Sequence, residues 1–328
     1  MVNLRSTLIT TSFVVATALV VSKAVGIKED DISTSDVLDV EIIEESTFES
    51  MDYYALQNGL KTLALNASTL RIVNQSDLYF TRPDGLLYNN AGEEIAFQAK
   101  EGKFKNLKEE LFLDGDVVFK ASDGDYQARE LYYNGSKDFL EAKGTIEAKL
   151  LDSSTKDKIN ISSNYMSSWI NEQRSLFIGD VNGQVKRDRV YEGSFSFKSE
   201  RMELNRNKSL ITLNQNVFLE RNNYDLQAQR AEIFLENYNK KLKYYVLYDD
   251  IKLVEQLNTS EGNSQTRRAY SEKLEGYMSQ GKIVLTGAPR VEQGDDLIKG
   301  YQITLRENVE LVEVEEAQSS FKLKKEKE

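Results

Sequence analysis

Phe97-Gln-Ala-Lys-Glu-Gly-Lys-Phe104, Leu111-Phe-Leu-Asp-Gly-Asp-Val-Val-Phe119 and Tyr126-Gln-Ala-Arg-Glu-Leu-Tyr-Tyr133 follow one another and decide the fold. The middle stretch alternates apolar and polar residues about a central glycine, the pattern of a half-buried strand. The outer two share a template: an apolar residue, a small residue two on, an apolar or small residue three further, and another two beyond. Eight copies run along the chain: Leu65-Ala67-Leu70-Ile72, Phe97-Ala99-Gly102-Phe104, Tyr126-Ala128-Leu131-Tyr133, Ile161-Ser163-Met166-Ser168, Phe197-Ser199-Met202-Leu204, Leu226-Ala228-Ala231-Ile233, Ala269-Ser271-Leu274-Gly276 and Ile298-Gly300-Ile303-Leu305. The second column holds only Ala, Ser or Gly. Three positions, not two, separate it from the next apolar residue. A straight strand would put those two on opposite faces, so the first strand of each unit bends or bulges there.

A second strand follows most copies, alternating around a Gly or polar position. It reads Leu111-Leu113-Gly115-Val117, Leu140-Ala142-Gly144-Ile146, Val181-Gly183-Val185, Ile211-Leu213-Gln215-Val217, Tyr245-Leu247-Asp249-Ile251 and Ile283-Leu285-Gly287, the last closed by Pro289, which has no amide to give a ladder. Two-strand units spaced about 29 to 43 residues apart predict a stacked, elongated all-β architecture whose apolar faces form one continuous interior strip. Two prolines, 17 Tyr and 14 Phe in 328 residues agree with strands.

Composition removes whole function classes. With no His and no Cys, the chain has no Ser-His-Asp or Cys-His triad, no thiolate nucleophile, no disulfide and no imidazole or thiolate metal site. No cofactor or metal is expected. A net charge of −11 argues against a phosphate backbone as partner, so no nucleic acid is expected. There is no Gly-x-x-x-x-Gly-Lys-(Ser/Thr) phosphate loop either.

Ahead of the repeats, Arg5 precedes an uncharged, mostly apolar run from Ser6 to Ser22, ended by Lys23. Its length and its N-terminal cation predict a single transmembrane helix with the remainder exported. Ser22-Lys-Ala24 leaves a cleaved signal peptide as the other reading. The expected organisation is an anchor over 1–25, an acidic tether over 26–50 and the β region over 51–325, with a possible division near 186–193. Six Asn-x-Ser/Thr sequons carry no weight in so Asn-rich a chain, and the tail Phe321–Glu328 reads as a solvated charge run.

The repeat resembles that of the periplasmic bridge proteins of lipopolysaccharide export, the LptC/LptA (OstA-like) β-jellyroll family. The likeness rests on Ala99…Phe104…Leu113-Asp-Gly-Asp-Val117, on Ala128…Tyr133…Ala142-Lys-Gly-Thr-Ile146, and on the closing Leu285-Thr-Gly-Ala-Pro-Arg-Val291, Asp295-Asp-Leu-Ile-Lys-Gly300 and Ile303-Thr-Leu305. The N-terminal segment, the spacer, Tyr53-Tyr-Ala-Leu56 and the Pro83-Asp-Gly85 turn are similar to the membrane-anchored LptC branch, and the length leaves room for an LptC part fused to an LptA part. Gln215 and Asp249 depart from the family's usual glycine.

The resemblance implies an open jellyroll in the periplasm, held by its N-terminal helix, whose apolar trough takes the acyl chains of lipopolysaccharide. Each buried methylene is worth about 0.8 kcal/mol, so such a trough removes the barrier to crossing water without any catalytic residue. The implied trough residues are Phe97, Phe104, Leu111, Leu113, Val117, Ile146, Ile161, Phe197, Leu213, Val217, Leu226, Ile251, Ile283, Leu285 and Ile298, each of which also reads as plain core. The implied partners are lipopolysaccharide, the subunits of an inner-membrane ABC transporter, and another bridge jellyroll. That jellyroll would pair with the edge bearing Leu297, Ile298, Gly300, Ile303 and Leu305. Two other readings stay open: a structural or adhesive surface β-solenoid without cargo, and a glycan-acting enzyme using Asp114 with Asp116, Asp123 with Asp125, or Asp295 with Asp296.

Overall fold

The computed structural model describes residues 45–320, apart from 75, 90–91, 152–155, 187, 189–193, 222–223, 236–243, 259–263, 278–279, 308, 310 and 317. The expected anchor, most of the tether and the charged tail lie outside the described residues. Among the described residues no helix is long and apolar enough to cross a membrane.

These residues belong to one compact unit, Glu44–Glu328. It opens with β1 (Glu45–Gln57), β2 (Leu60–Val73), β3 (Asp77–Thr81), β4 (Asp84–Tyr88), β5 (Glu94–Gln98) and β6 (Glu101–Lys105). Long strands follow: β7 (Glu110–Ala121), β8 (Gly124–Asn134), β9 (Phe139–Leu151), β10 (Lys158–Trp169), β11 (Arg174–Lys186), β12 (Phe195–Asn205), β13 (Leu210–Arg221), β14 (Tyr224–Phe234), β15 (Tyr244–Asn258) and β16 (Ser264–Tyr277). It closes with β17 (Lys282–Thr286), β18 (Arg290–Gln293), β19 (Asp296–Lys299), β20 (Gln302–Arg306), β21 (Val312–Glu315) and β22 (Gln318–Ser320).

From β7 to β16 each strand pairs antiparallel with the next, so sequence order is ladder order. The short strands are half-rungs. β2 pairs through Leu63–Asn66 with β4 and through Thr69–Val73 with β3, and β7 likewise takes β6 on its first half and β5 on its second. Each rung therefore bends, and its halves run in two layers. The first layer holds halves such as Val117–Ala121 and Gly124–Ala128; the second holds Glu110–Asp114 and Glu130–Asn134. Tyr53 of the first layer packs on Phe80 and Phe104 of the second, with ring centroids 6.2 and 6.4 Å apart.

The bend explains the small-residue column. Ala67, Ala128, Ser163, Ser199, Ala228 and Ser271 are buried at the apex where the layers converge, and a bulky side chain there would wedge them apart. Two of the hydroxyls bond across the bend, Ser163 Oγ donating to Tyr165 O and Ser199 Oγ to Arg201 O, both at 3.1 Å. The extra residue of each bulge sits in the alternate rungs. Gly115 and Asp116, Gly179 and Asp180, Gln215 and Asn216, Asp249 and Asp250, and Gly287 and Ala288 all have positive φ, as does Gly144. Gly adopts that region freely and Asp or Asn with little cost, which accounts for the usual glycine and makes Gln215, at φ 65°, and Ala288, at φ 51°, the strained members.

One assignment from the sequence shifts. The bulge of β11 falls at Gly179-Asp180, not at Gly183, because the register breaks between Ile178 and Val181. Gly183 lies opposite Phe197, and a Cβ there would fall 2.0 Å from the ring. It is glycine so that the ring can lie over its backbone.

Two expected boundaries also move. The described strands start at Glu45, inside the expected tether. Beside the possible division near 186–193, β11 and β12 stay in register out to Val185 opposite Phe195, and the buried apolar side chains form one cluster from Ala55 to Leu305. The C-terminal edge is not the strand pair bearing Leu297, Ile298, Gly300, Ile303 and Leu305. β19 is paired on both sides by β18 and β22, and β20 by β17 and β21, so β21 and β22 are the outermost strands described at this end. At the other end it is β1, with Phe48, Tyr54 and Leu56 exposed.

Candidate functional site

Of the fifteen implied trough residues, fourteen are buried between the layers, each at most 3 % exposed, and Ile298 is partly buried against the same cluster. The alternation thus gives the inward face correctly. Together they pack as part of one buried apolar cluster between the layers.

The layers part at the mouth, opposite the apex, where rungs turn back. The lip of the second layer is a staircase of backbone bonds from one turn to the next. Gly135 N donates to Glu109 O at 2.9 Å, Ile170 N to Asp138 O at 3.0 Å, Arg206 N to Gln173 O at 3.0 Å and Leu235 N to Ser209 O at 2.8 Å. The acceptor in each case is a residue with positive φ, which aims its carbonyl at the following turn. The lip of the first layer is less regular, its turns running from two residues at Ser122-Asp123 to eight at 187–194.

At the C-terminal end the mouth is sealed. Arg267 of β16 and Glu255 of β15 are both fully buried, with Nε at 3.0 Å and Nη2 at 2.5 Å from Oε2. Arg267 reaches across the mouth to Val309 O at 2.9 Å and Arg306 O at 3.0 Å. Beside it, Arg221 Nη1 lies 2.8 Å from Glu307 Oε1, and Tyr224 bonds to both and to the Tyr245 hydroxyl. Burial holds the Glu307 carboxyl above the usual range, Arg221 opposing, and pushes the Tyr224 phenol up to about 12. Tyr245 is raised well above its ordinary value for the same reason.

Between these seals and the N-terminal rungs the mouth holds a cavity of about 400 Å³. Phe119, Ala121, Tyr126, Leu150 and Ile159 line it from the first layer, and Leu140, Met166, Leu204 and Leu235 from the second. Its rim is charged. Asp123, in the turn between β7 and β8, forms an ion pair with Arg206, in the turn between β12 and β13. The Tyr126 hydroxyl donates to Asp123 Oδ2 at 2.5 Å, and Arg206 Nη2 donates to that hydroxyl at 3.3 Å. Burial lowers the Arg206 guanidinium to about 10, with Glu93 opposing the shift.

None of the fifteen residues lines this cavity. Its walls come from strand ends, and its rim joins turns 83 positions apart, which no periodicity brings together. The acidic turn at Asp123 and the basic turn at Arg206 fall at different places in the repeat, so no sequence signal pairs them. Two of the three carboxylate pairs are engaged at one member by ion pairs, Asp116 with Lys100 at 2.7 Å and Asp123 with Arg206.

Two family models match the chain. One, described as lipopolysaccharide-assembly, LptC-related, covers residues 14–217; the other, described as the LptA/(LptD N-terminal domain) LPS transport protein, covers residues 197–310. Among solved structures, one match is LptH from Pseudomonas aeruginosa, the LptA-homologous periplasmic component of its lipopolysaccharide transport device. It is 11% identical over 40% of this chain and 98% of that one, with a TM-score of 0.36. No curated protein matches.

Proposed function

The chain belongs to the LptC-related family of lipopolysaccharide-assembly proteins, and from that premise we propose that it is a bridge for lipopolysaccharide. It takes the lipid from an inner-membrane ATP-driven transporter and holds the acyl chains between its two β-layers on the way to the outer membrane. Ser6 to Ser22 anchors it in the inner membrane, with the β-ladder in the periplasm. Both matching families are described by assembly or transport, not by catalysis. The two matches overlap over 197–217, which supports reading the chain as an LptC-like and an LptA-like part in one ladder.

One observation carries this reading: the apolar interior continues unbroken across the junction of the two family matches. In a bridge of separate subunits a lipid would have to cross an interface there. The fifteen inward residues are proposed to meet acyl chains once the layers part, and the outermost strands β1 and β21/β22 to receive partner strands.

A photo-crosslinking residue at Leu213 or Met166 tests the proposal, with Thr212 on the outer face as control. Radiolabelled lipopolysaccharide is expected on the inner positions and not on 212. A folded protein that crosslinks at neither inner position, and purifies without lipid, is a structural solenoid. The packing of the inward residues in one buried cluster is the observation that favours that second reading.

A further inference from the structure

We propose that the cavity between Phe119, Leu150, Met166 and Leu204 is a lateral entry port for a single acyl chain, and that Asp123 and Arg206 form its gate. The inference rests on the lipid-carrying reading above and names where the chain enters.

The cavity's volume of about 400 Å³ lies within the roughly 300 to 1,000 Å³ usual for ligand pockets. Its floor is apolar and its rim charged, which suits an amphiphile whose head stays in water. The rim carries Asp123, Glu93 and Glu94 against one Arg206, so it selects the chain and not an anionic head.

The gate bridges the two lips. Arg206 stands on the hydrogen-bonded staircase, its own amide tied to Gln173 O, and so stays in place. Asp123 stands on a two-residue turn of the other lip, tied to its neighbour by a backbone bond from Leu151 N to Asp123 O at 3.1 Å. Opening parts the Asp123 turn from the Arg206 turn. The Arg206 and Asp123 side chains are 31 and 15 % exposed, against 0 % for both members of the Arg267–Glu255 pair. Water can replace the first pair's contacts and cannot replace the second's, so the mouth opens here and not at the C-terminal seal.

The full-length chain, held in amphipol, is tested by stopped-flow uptake of 11-(dansylamino)undecanoic acid. Arg206→Gln is expected to load about tenfold faster than wild type, the rate equivalent of one charge-assisted contact. Arg206→Lys should retain most of the slow loading. If Arg206→Gln does not fold, Asp123→Asn breaks the gate from the opposite lip. The chain has no Cys, so Asp123→Cys with Arg206→Cys can be bridged cleanly by bismaleimidoethane. Bridging should slow uptake at least as much as the single change speeds it. If uptake is the same with the gate intact, broken and bridged, the chain enters elsewhere and the port is refuted, while the carrier reading stands because the probe still binds. A probe that binds to no form refutes the carrier reading and the port with it.

Discussion

Arg267→Met is expected to loosen the C-terminal end of the ladder, and its cost can be worked from four contacts. The guanidinium makes two bonds to Glu255 and one each to the Val309 and Arg306 carbonyls, all inside a site from which both charged side chains are wholly excluded from water. Removing it leaves the carboxylate buried without its cation, which costs about 3 to 5 kcal/mol. The two carbonyls lose a charged donor, roughly another 1 to 3 kcal/mol. At about 2 to 4 °C per kcal/mol for a domain near this size, the transition should fall by roughly 8 °C or more. Stacked rungs depend mainly on nearest neighbours, so the loss should be local. Hydrogen exchange should show deprotection of β15 to β20 while β7 to β12 keep their protection. The double variant Glu255→Leu with Arg267→Met removes both charges and should recover most of the stability. A single variant within about 1 kcal/mol of wild type, or a double as unstable as the single, would refute the claim that a desolvated pair holds this end shut.

The buried Ser271 Oγ has no hydrogen-bond partner among the described residues, so Ser271→Ala should be neutral or stabilising, whereas Ser199→Ala forfeits a bond worth about 0.5 to 1.5 kcal/mol; urea unfolding of the pair measures the contrast. Gln215→Gly relieves a positive φ that costs an L side chain about 1 to 2 kcal/mol and should raise the melting temperature, despite the entropy that glycine adds to the unfolded chain. Burial raises the phenols of Tyr126, Tyr133, Tyr224 and Tyr245 above 10.0, so the folded state keeps protons that the unfolded state gives up. Stability should be full below pH 10 and fall as pH rises toward 12 and beyond, with phenolate absorbance and loss of circular dichroism appearing together. Deleting residues 311–328 removes β21 and β22 and should abolish end-to-end association with a second jellyroll in sedimentation while the earlier rungs stay protected. A cut at 295 should do more damage, because Glu307 and the Arg306 and Val309 carbonyls go with it.

The rungs and their inward faces were legible because alternation and the small-residue column report a local constraint, the crowding at the apex. Ala128 and Ser199 are small for a reason acting within a few residues of each. The bulge column was harder to read. Any residue tolerating positive φ serves there, so Gln215 and Asp249 hide the pattern and Gly183, small because of the Phe197 ring, imitates it. The mouth was not legible at all. Asp123 and Arg206 meet only after five rungs of ladder have been laid between them, and Arg267 and Glu255 read as two ordinary strand charges until burial is known.

The turn staircase also constrains how such a chain can change its length. Each step ties a turn only to its predecessor, so material can be gained or lost anywhere without disturbing distant steps. The unit of change is nevertheless fixed by parity. Neighbouring rungs run in opposite directions, and small-apex rungs alternate with positive-φ rungs, so one inserted rung would reverse the chain and set two like bends side by side. Two inserted rungs restore both direction and bend. Homologous ladders should therefore grow and shrink in even steps, and a tandem copy of one two-rung period with its closing turn, such as 174–209, is the smallest extension this backbone accepts.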